Sequence, residues 1–240
     1  MTDLSIIIPC RDEEENVNII YENIKKKIET ENYQIIFIND FSSDNTENKI
    51  KELSTNDKKI FLYNNSKRGL GGAIDLGLKK SIGKFITILM ADSADSIDDL
   101  NSYIKIMNEE KCDAVFGSRF ISGGKTVEYP LIKLIFNRFG NNLARLLFLS
   151  NYNDFTNSFK IYKKEVIQHF FPLVSEDFNI FLELPLKTIS RGFKFKIIPI
   201  KYYNRTVGTA KFKIKELGSR YLFTLLYCFI EKILLNKKIK

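Results

Sequence analysis

Short apolar runs alternate with amphipathic stretches along the first half of the chain, and this alternation narrows the fold more than any other feature. Leu4 to Pro9 reads as a buried strand, a β-branched run that ends at proline. Val17, Ile20, Ile24 and Ile28 then recur at spacings of three and four, which predicts an apolar helix stripe along Asn16–Lys27. The pair of signals repeats, with strands at Gln34–Asn39, Ile60–Asn64 and Phe85–Met90 and helices at Thr46–Leu53 and Gly71–Ser81. Such regularity implies an α/β fold, a mainly parallel sheet covered by helices on both faces. Beyond a helix at Ile97–Glu110 and a strand at Ala114–Ser118 comes a long apolar helix, Leu131–Leu149, whose polar residues Lys133, Asn137, Asn141 and Arg145 recur every four positions. Strands at Ser158–Tyr162 and Lys194–Pro199, helices at Lys164–Phe170 and Phe178–Arg191, and a closing helix from about Lys215 to Asn236 complete the pattern.

No linker or repeat divides the 240 residues. The expected organisation is one domain over 1–211 and a basic amphipathic helix over 212–240. Lys211 to Lys240 holds eight Lys or Arg against two Glu, so much of the formal +8 sits at one end. That distribution suits a lipid headgroup layer, or simply a solvated tail. The apolar run from Tyr221 to Ile230 is ten residues long, whereas a membrane span needs about 20. With no signal-peptide pattern and three cysteines in no metal-binding spacing, the expectation is a cytoplasmic protein, peripheral at the inner face of a membrane. Nucleic acid is not an expected partner, because the aromatics lie in apolar runs rather than interleaved with Lys and Arg.

In a sheet of this kind the ligand sits beyond the carboxyl ends of the strands, so the loops after Pro9, Ile38, Asn64 and Met90 should converge. The first, Arg11-Asp12-Glu13-Glu14-Glu15, packs four acids into five residues, as ligand groups or as a cap and dipole complement for the next helix. In the second, Asp40 stands where a carboxylate can accept from a ribose or base, and Asp44 reads as a helix cap. The third, Lys67-Arg68-Gly69-Leu70-Gly71-Gly72, offers cations and glycines for phosphates, although tight packing explains the glycines as well. The fourth holds Asp92, Asp95, Asp98 and Asp99 within eight residues. Clustered carboxylates repel unless neutralised, and a divalent cation shared with substrate phosphates would neutralise them. Asp98 and Asp99 also suit the first turn of a helix.

These motifs, in order, resemble the family 2 glycosyltransferases. The resemblance runs from the Leu4–Pro9 strand with Cys10-Arg11-Asp12-Glu13 through Asn39-Asp40-Phe41-Ser42-Ser43-Asp44, Asn64–Gly72, Met90–Asp95 and Gly117-Ser118-Arg119-Phe120, and covers roughly residues 4–211. It implies a GT-A (Rossmann-like) fold, and within the family the chain is most similar to dolichol-phosphate mannose synthases and other polyprenyl-phosphate glycosyltransferases. By that resemblance Pro9, Arg11, Glu13, Ile38, Asp40, Lys67, Arg68, Gly69, Ala91 and Asp92 contact the nucleotide sugar, with Arg205 and Lys211 closing over the diphosphate. Arg119, Lys133, Asn137, Thr156, Asn157 and Ser158 face the acceptor, and Mg²⁺ or Mn²⁺ is the implied cofactor. The usual Asp-Ala-Asp of the family reads Met90-Ala91-Asp92 here, which leaves Asp92 and Asp95 as the candidate metal ligands.

The expected reaction is inverting transfer from a nucleotide-diphosphate sugar of the GDP-mannose or UDP-glucose class to a polyprenyl phosphate. An anionic phosphate needs no general base, so positioning and leaving-group stabilisation suffice. A rival acceptor, a sugar hydroxyl of a surface polysaccharide, would need a carboxylate base, for which Asp154 and Glu183 are the candidates. A non-catalytic nucleotide-sugar-binding protein is the reading from a different class, given Met90.

Overall fold

The computed structural model describes residues 2–127, 131–203 and 214–235. Its central sheet is built from strands that can be buried on both faces. β1 (Leu4–Cys10), β2 (Tyr33–Asn39), β3 (Ile60–Asn64) and β4 (Phe85–Ile88) are parallel, as are β5 (Ala114–Ser118) and β8 (Phe195–Pro199). β7 (Lys160–Lys163) runs antiparallel between β4 and β5, giving the order β3-β2-β1-β4-β7-β5-β8.

Period-two alternation along each strand makes two cores. Leu4, Ile6 and Ile8 of β1 face one and Ile7 the other, and in β2 Ile35 and Phe37 oppose Ile36 and Ile38. The first core is closed by α1 (Val17–Lys27), α2 (Thr46–Asn56) and α4 (Ile97–Glu109). The second lies under α3 (Leu70–Lys80), α5 (Leu131–Phe148), α6 (Lys164–Gln168), α7 (Ile180–Ser190) and α8 (Ile214–Leu234). The helix stripe read from Val17, Ile20 and Ile24 is buried as its spacing predicts.

The chain leaves β1 toward β2 on one side and returns through α3 to β4 on the other, so the strand order reverses between β1 and β4. That is where open α/β sheets place ligands. The antiparallel course of β7 has a further consequence: residues 154–159, which enter it, lie at the same edge as the carboxyl ends of β4 and β5.

Two three-residue strands, β6 (Lys125–Val127) and β9 (Lys201–Tyr203), pair in a small parallel sheet that the sequence pattern did not reveal. Three residues are too few to display a period of two. His169, although it lies next to the buried Phe170 in sequence, is exposed and rests against the ring of Phe193. Cys10, Cys112 and Cys228 are buried free thiols.

Candidate active site

Asp40, the first residue after β2, draws three strand ends together. Its Oδ1 accepts from Asn65 Nδ2 (2.8 Å) and the Gly69 amide (3.0 Å), and its Oδ2 pairs with Arg11 Nη2. Arg11 Nε also donates to the Asp40 carbonyl (2.9 Å). These donors occupy three of the carboxylate's roughly four acceptor positions, so Asp40 is first a clamp on the loops after β1, β2 and β3. Asn65 was not among the expected residues. It directly follows β3, and the positional rule that singled out Asp40 after β2 would have found it.

The acidic first loop is knitted to the second. Asp12 Oδ1 accepts from the Ser43 amide (2.7 Å), Glu14 Oε2 from the Asn45 amide (3.0 Å), and Asp44 Oδ2 from the Glu14 amide (3.1 Å). The Glu13 amide donates to Thr46 Oγ1 (2.8 Å), and Glu13 Oε2 accepts from Asn16 (2.6 Å). α1 begins only at Val17, so Asp12 and the glutamates do not cap it; they bind the neighbouring loop instead. Asp44 accepts from the Thr46 amide (3.0 Å), but it is not the cap of α2: that position is Asn45, one residue later.

Pro9 and Ile38 are paired across β1 and β2, and both are buried. The Ile38 side chain lies in the core, as does that of Ala91, so any nucleotide contact at either position comes from main chain alone. The glycine-rich turn is also corrected. A Cβ on Gly69 would stand 2.4 Å from the Glu176 carbonyl oxygen and one on Gly71 2.0 Å from that of Ser175. The Gly71 amide donates to the Glu176 carbonyl (3.0 Å) and Lys67 pairs with the Glu176 carboxylate (3.2 Å). Close packing on residues 175–176, rather than an open phosphate cradle, explains these glycines. Arg68 is exposed.

The loop after β4 carries the sharpest electrostatics. Asp92 Oδ1 accepts from the Ala94 amide (3.2 Å), while Ser96 caps α4 through the Asp99 amide (3.3 Å), leaving Asp98 and Asp99 in its first turn as expected. Asp95 is a partly exposed residue whose Oδ2 is enclosed and has no hydrogen-bond partner. Burial, and then the charge of Asp92, push its carboxyl up to about 7. An enclosed, unpartnered carboxylate oxygen beside a second acid fits a divalent cation. No group of three His, Cys, Asp or Glu side chains among the described residues could hold one, so phosphate oxygens and water would have to complete its shell. Asp12, Phe41 and Ser93, in the loops after β1, β2 and β4, all have φ between 52° and 58°. Left-handed backbone outside glycine costs about 1 kcal/mol or more, and such strain gathers at functional sites.

Across the β4 loop lies a second cluster. Arg119, directly after β5, forms a buried fork with Asp154, Nε to Oδ2 at 2.8 Å and Nη2 to Oδ1 at 2.6 Å, and its amide also donates to Oδ2 (2.9 Å). Asn157 donates to the Gly117 carbonyl (3.1 Å), and Asn137 of α5 donates to Thr156 Oγ1 (2.6 Å). Arg119, Asn137, Asp154, Thr156 and Asn157 are therefore brought together, with Ser158 following in the chain. Arg205, Lys211 and the side chain of Lys133 lie outside the described residues. Glu183 is not part of this cluster's bonding: its carboxylate, fully buried in α7, accepts from the Val174 and Ser175 amides (2.9 and 2.8 Å) and pairs with Lys187 (2.8 Å).

Lys160, which sequence reasoning passed over as a strand residue, underlies the second cluster. Fully enclosed, its Nζ donates to the carbonyls of Asn157, Phe155 (3.1 Å) and Phe181 (3.4 Å). Burial lowers its pKa to about 7, against the pull of Asp154. Since the unfolded value is near 10.5, the unfolded chain binds more protons between about 7 and 10.5, and stability rises with pH across that window. Lys160→Met should abolish this rise, of at most about 1.4 kcal/mol per pH unit, in urea unfolding measured from pH 7 to 10. Parallel pH profiles for variant and wild type would contradict it.

A cavity of about 480 Å³ lies elsewhere, against the first turns of α3, lined by Lys67, Gly71, Asp75, Phe171 and Ser175 among others.

Known proteins resemble the chain in sequence and in fold. The chain is 25% identical over 216 residues to a dolichol-phosphate mannosyltransferase of Pyrococcus furiosus, covering 89% of the chain and 60% of that longer relative. It is also 25% identical over 232 residues to a polyprenol monophosphomannose synthase of Mycolicibacterium smegmatis, covering 90% of the chain and 86% of the relative. The fold matches glucosyl-3-phosphoglycerate synthase of Mycobacterium tuberculosis, solved with Mn²⁺, UDP and glucosyl-3-phosphoglycerate, at a TM-score of 0.71 and 14% identity over 95% of this chain and 80% of that one. Residues 5–171 match the glycosyl transferase family 2. With that match spanning more than half of its length, and with the sheet order and loop positions described above, the chain belongs to glycosyl transferase family 2.

Proposed function

We propose that the protein transfers a sugar from a nucleotide-diphosphate donor, of the GDP-mannose or UDP-glucose class, to a polyprenyl phosphate at a membrane surface, with inversion. The observation that carries this reading is the division of the crevice: the Arg11–Asp40–Asn65 clamp on one side, the Arg119–Asp154 fork on the other, and the Asp92–Asp95 loop between them. The names of the Pyrococcus and Mycolicibacterium relatives support the acceptor class.

The donor's nucleoside would lie along the ends of β1 to β3, with its diphosphate reaching the β4 loop. Asp92 and Asp95 would hold Mg²⁺ or Mn²⁺, which when bound supplies positive charge to the departing diphosphate. Arg205 and Lys211 would add cations there. Arg119, fixed in one orientation by Asp154, together with Lys133 and Asn137, would orient the acceptor phosphate. An oxygen of that phosphate attacks the anomeric carbon in line, the bond to the diphosphate oxygen breaks, and its electron pair leaves with the nucleoside diphosphate. No proton has to be removed, because the attacking oxygen is already anionic.

A hydroxyl acceptor would need a free carboxylate base. Asp154 is committed to Arg119 and Glu183 to Lys187 and two amides, which disfavours that rival. The test is transfer from labelled nucleotide sugars, with Mn²⁺, to a short polyprenyl phosphate and to the corresponding polyprenol. Label in the organic phase with the phosphate alone is the expected result. Transfer to the alcohol, or to neither, would refute the proposed acceptor.

A further inference from the structure

Glu183 and Lys187 form an ion pair inside α7 that the proposed reaction does not use. Both side chains are 0% exposed, and they meet at 2.8 Å one helical turn apart. A buried pair contributes little stability beyond apolar residues of the same size, but its directed bonds fix the groups that join it. Here those groups are main chain. Glu183 accepts from the amides of Val174 (2.9 Å) and Ser175 (2.8 Å), and Lys187 donates to the carbonyls of Phe170 (2.7 Å) and Pro172. With Glu183 as its third acceptor, Lys187 has used every donor of its ammonium group. Four main-chain groups of the stretch between α6 and α7 are thereby tied to one helix. α8 braces the same stretch: Thr224 Oγ1 lies 3.3 Å from Ser175 Oγ and accepts from Asn179 Nδ2 (2.9 Å).

The other side of this segment is pressed onto the turn after β3. The Glu176 carbonyl accepts from the Gly71 amide (3.0 Å), and the Ser175 and Glu176 carbonyls stand where Gly71 and Gly69 leave no room for a Cβ. The turn holds Asp40, because the Gly69 amide donates to Asp40 Oδ1 (3.0 Å). Asn65 donates to the same oxygen (2.8 Å) and to the Lys67 carbonyl (2.6 Å). A continuous series of contacts therefore runs from Glu183 and Lys187, through residues 174–176 and Gly69–Gly71, to the Asp40 clamp.

We propose that Glu183 and Lys187 are positioning residues for the donor: they hold segment 170–176 as a backstop that sets the Gly69–Gly71 turn, and through it Asp40, for the nucleotide. This role presupposes that the nucleotide binds at Asp40, as proposed above, and is independent of the acceptor.

The test combines two measurements on the full chain carrying Glu183→Gln/Lys187→Met, which removes both charges so that neither is stranded. Amide hydrogen exchange should quicken roughly tenfold or more in residues 65–71 and 170–176, while the Arg119 amide, held by Asp154, keeps its wild-type rate. GDP and UDP, titrated calorimetrically with Mn²⁺, should each bind roughly tenfold more weakly than to the wild type. Met107→Ala, in the core on the other face of the sheet, should lower the melting temperature without weakening nucleotide binding. If the double variant does not fold, Thr224→Val, which removes one hydroxyl at nearly constant shape, should show the same two changes at about threefold. Exchange in residues 65–71 that stays at the wild-type rate, or unchanged nucleotide affinity, would overturn the proposal, as would an equal loss of affinity in Met107→Ala. Wild-type protein that binds neither nucleotide would overturn the donor reading and this role with it, even where the variant loosens residues 65–71.

Discussion

Asp154→Ala is expected to cost the folded state about 3–5 kcal/mol, the usual penalty for stranding one partner of a buried ion pair. Arg119 and Asp154 are 6% and 0% exposed at their side chains, so water cannot replace the lost carboxylate. The same substitution also leaves the Arg119 amide without the oxygen it donates to. Urea unfolding should show a lower midpoint with an unchanged slope. Replacing both partners together, Arg119→Met with Asp154→Leu, should destabilise far less than Asp154→Ala, because no orphaned charge remains. Equal losses for the single and double variants would mean that packing, not charge pairing, dominates at this site.

Asp92→Ala should have the largest effect on turnover. If Asp92 and Asp95 hold the cation, removing one of so few protein ligands withdraws charge that offsets the leaving diphosphate. A loss of several kcal/mol of transition-state stabilisation corresponds to about 10²–10³-fold in kcat. Stability should move in the other direction: with Asp92 gone, the repulsion that helps push the Asp95 carboxyl up to about 7 is relieved. The two readouts together separate a ligand from a structural acid. Unchanged turnover with Mn²⁺ would remove Asp92 from the reaction.

Much of the architecture was legible because burial on both sheet faces leaves a strong mark. Ile6, Ile7 and Ile8 in succession, closed by Pro9, fit a doubly covered strand, and Ile20 and Ile24 mark the helix that covers it. The strand-end rule placed Asp40 at the right edge, whereas Arg119 came from the family resemblance alone. What the sequence could not display was partnership. Nothing local to Gly71 says that the Ser175 carbonyl lies against it, since that contact depends on a loop a hundred residues away. Lys160 looked like an ordinary strand lysine, because its three carbonyl acceptors come from a loop and a helix that assemble only in the fold. Asp154 and Glu183 were indistinguishable as candidate bases, and their buried partners Arg119 and Lys187 now show how each is committed. In α5 the four-residue spacing of Asn137 and Asn141 was plain, but not that these two turn inward while Arg145 of the same stripe stays exposed.

The most direct measurement is a crystal structure of the protein soaked with a nucleotide sugar and Mn²⁺. The diphosphate should lie at the β4 loop, with the metal coordinated by Asp92 or Asp95 and the nucleoside along the ends of β1 and β2 near Arg11. A nucleotide bound instead in the cavity beside Lys67 and Phe171, with no metal at the aspartates, would contradict the account.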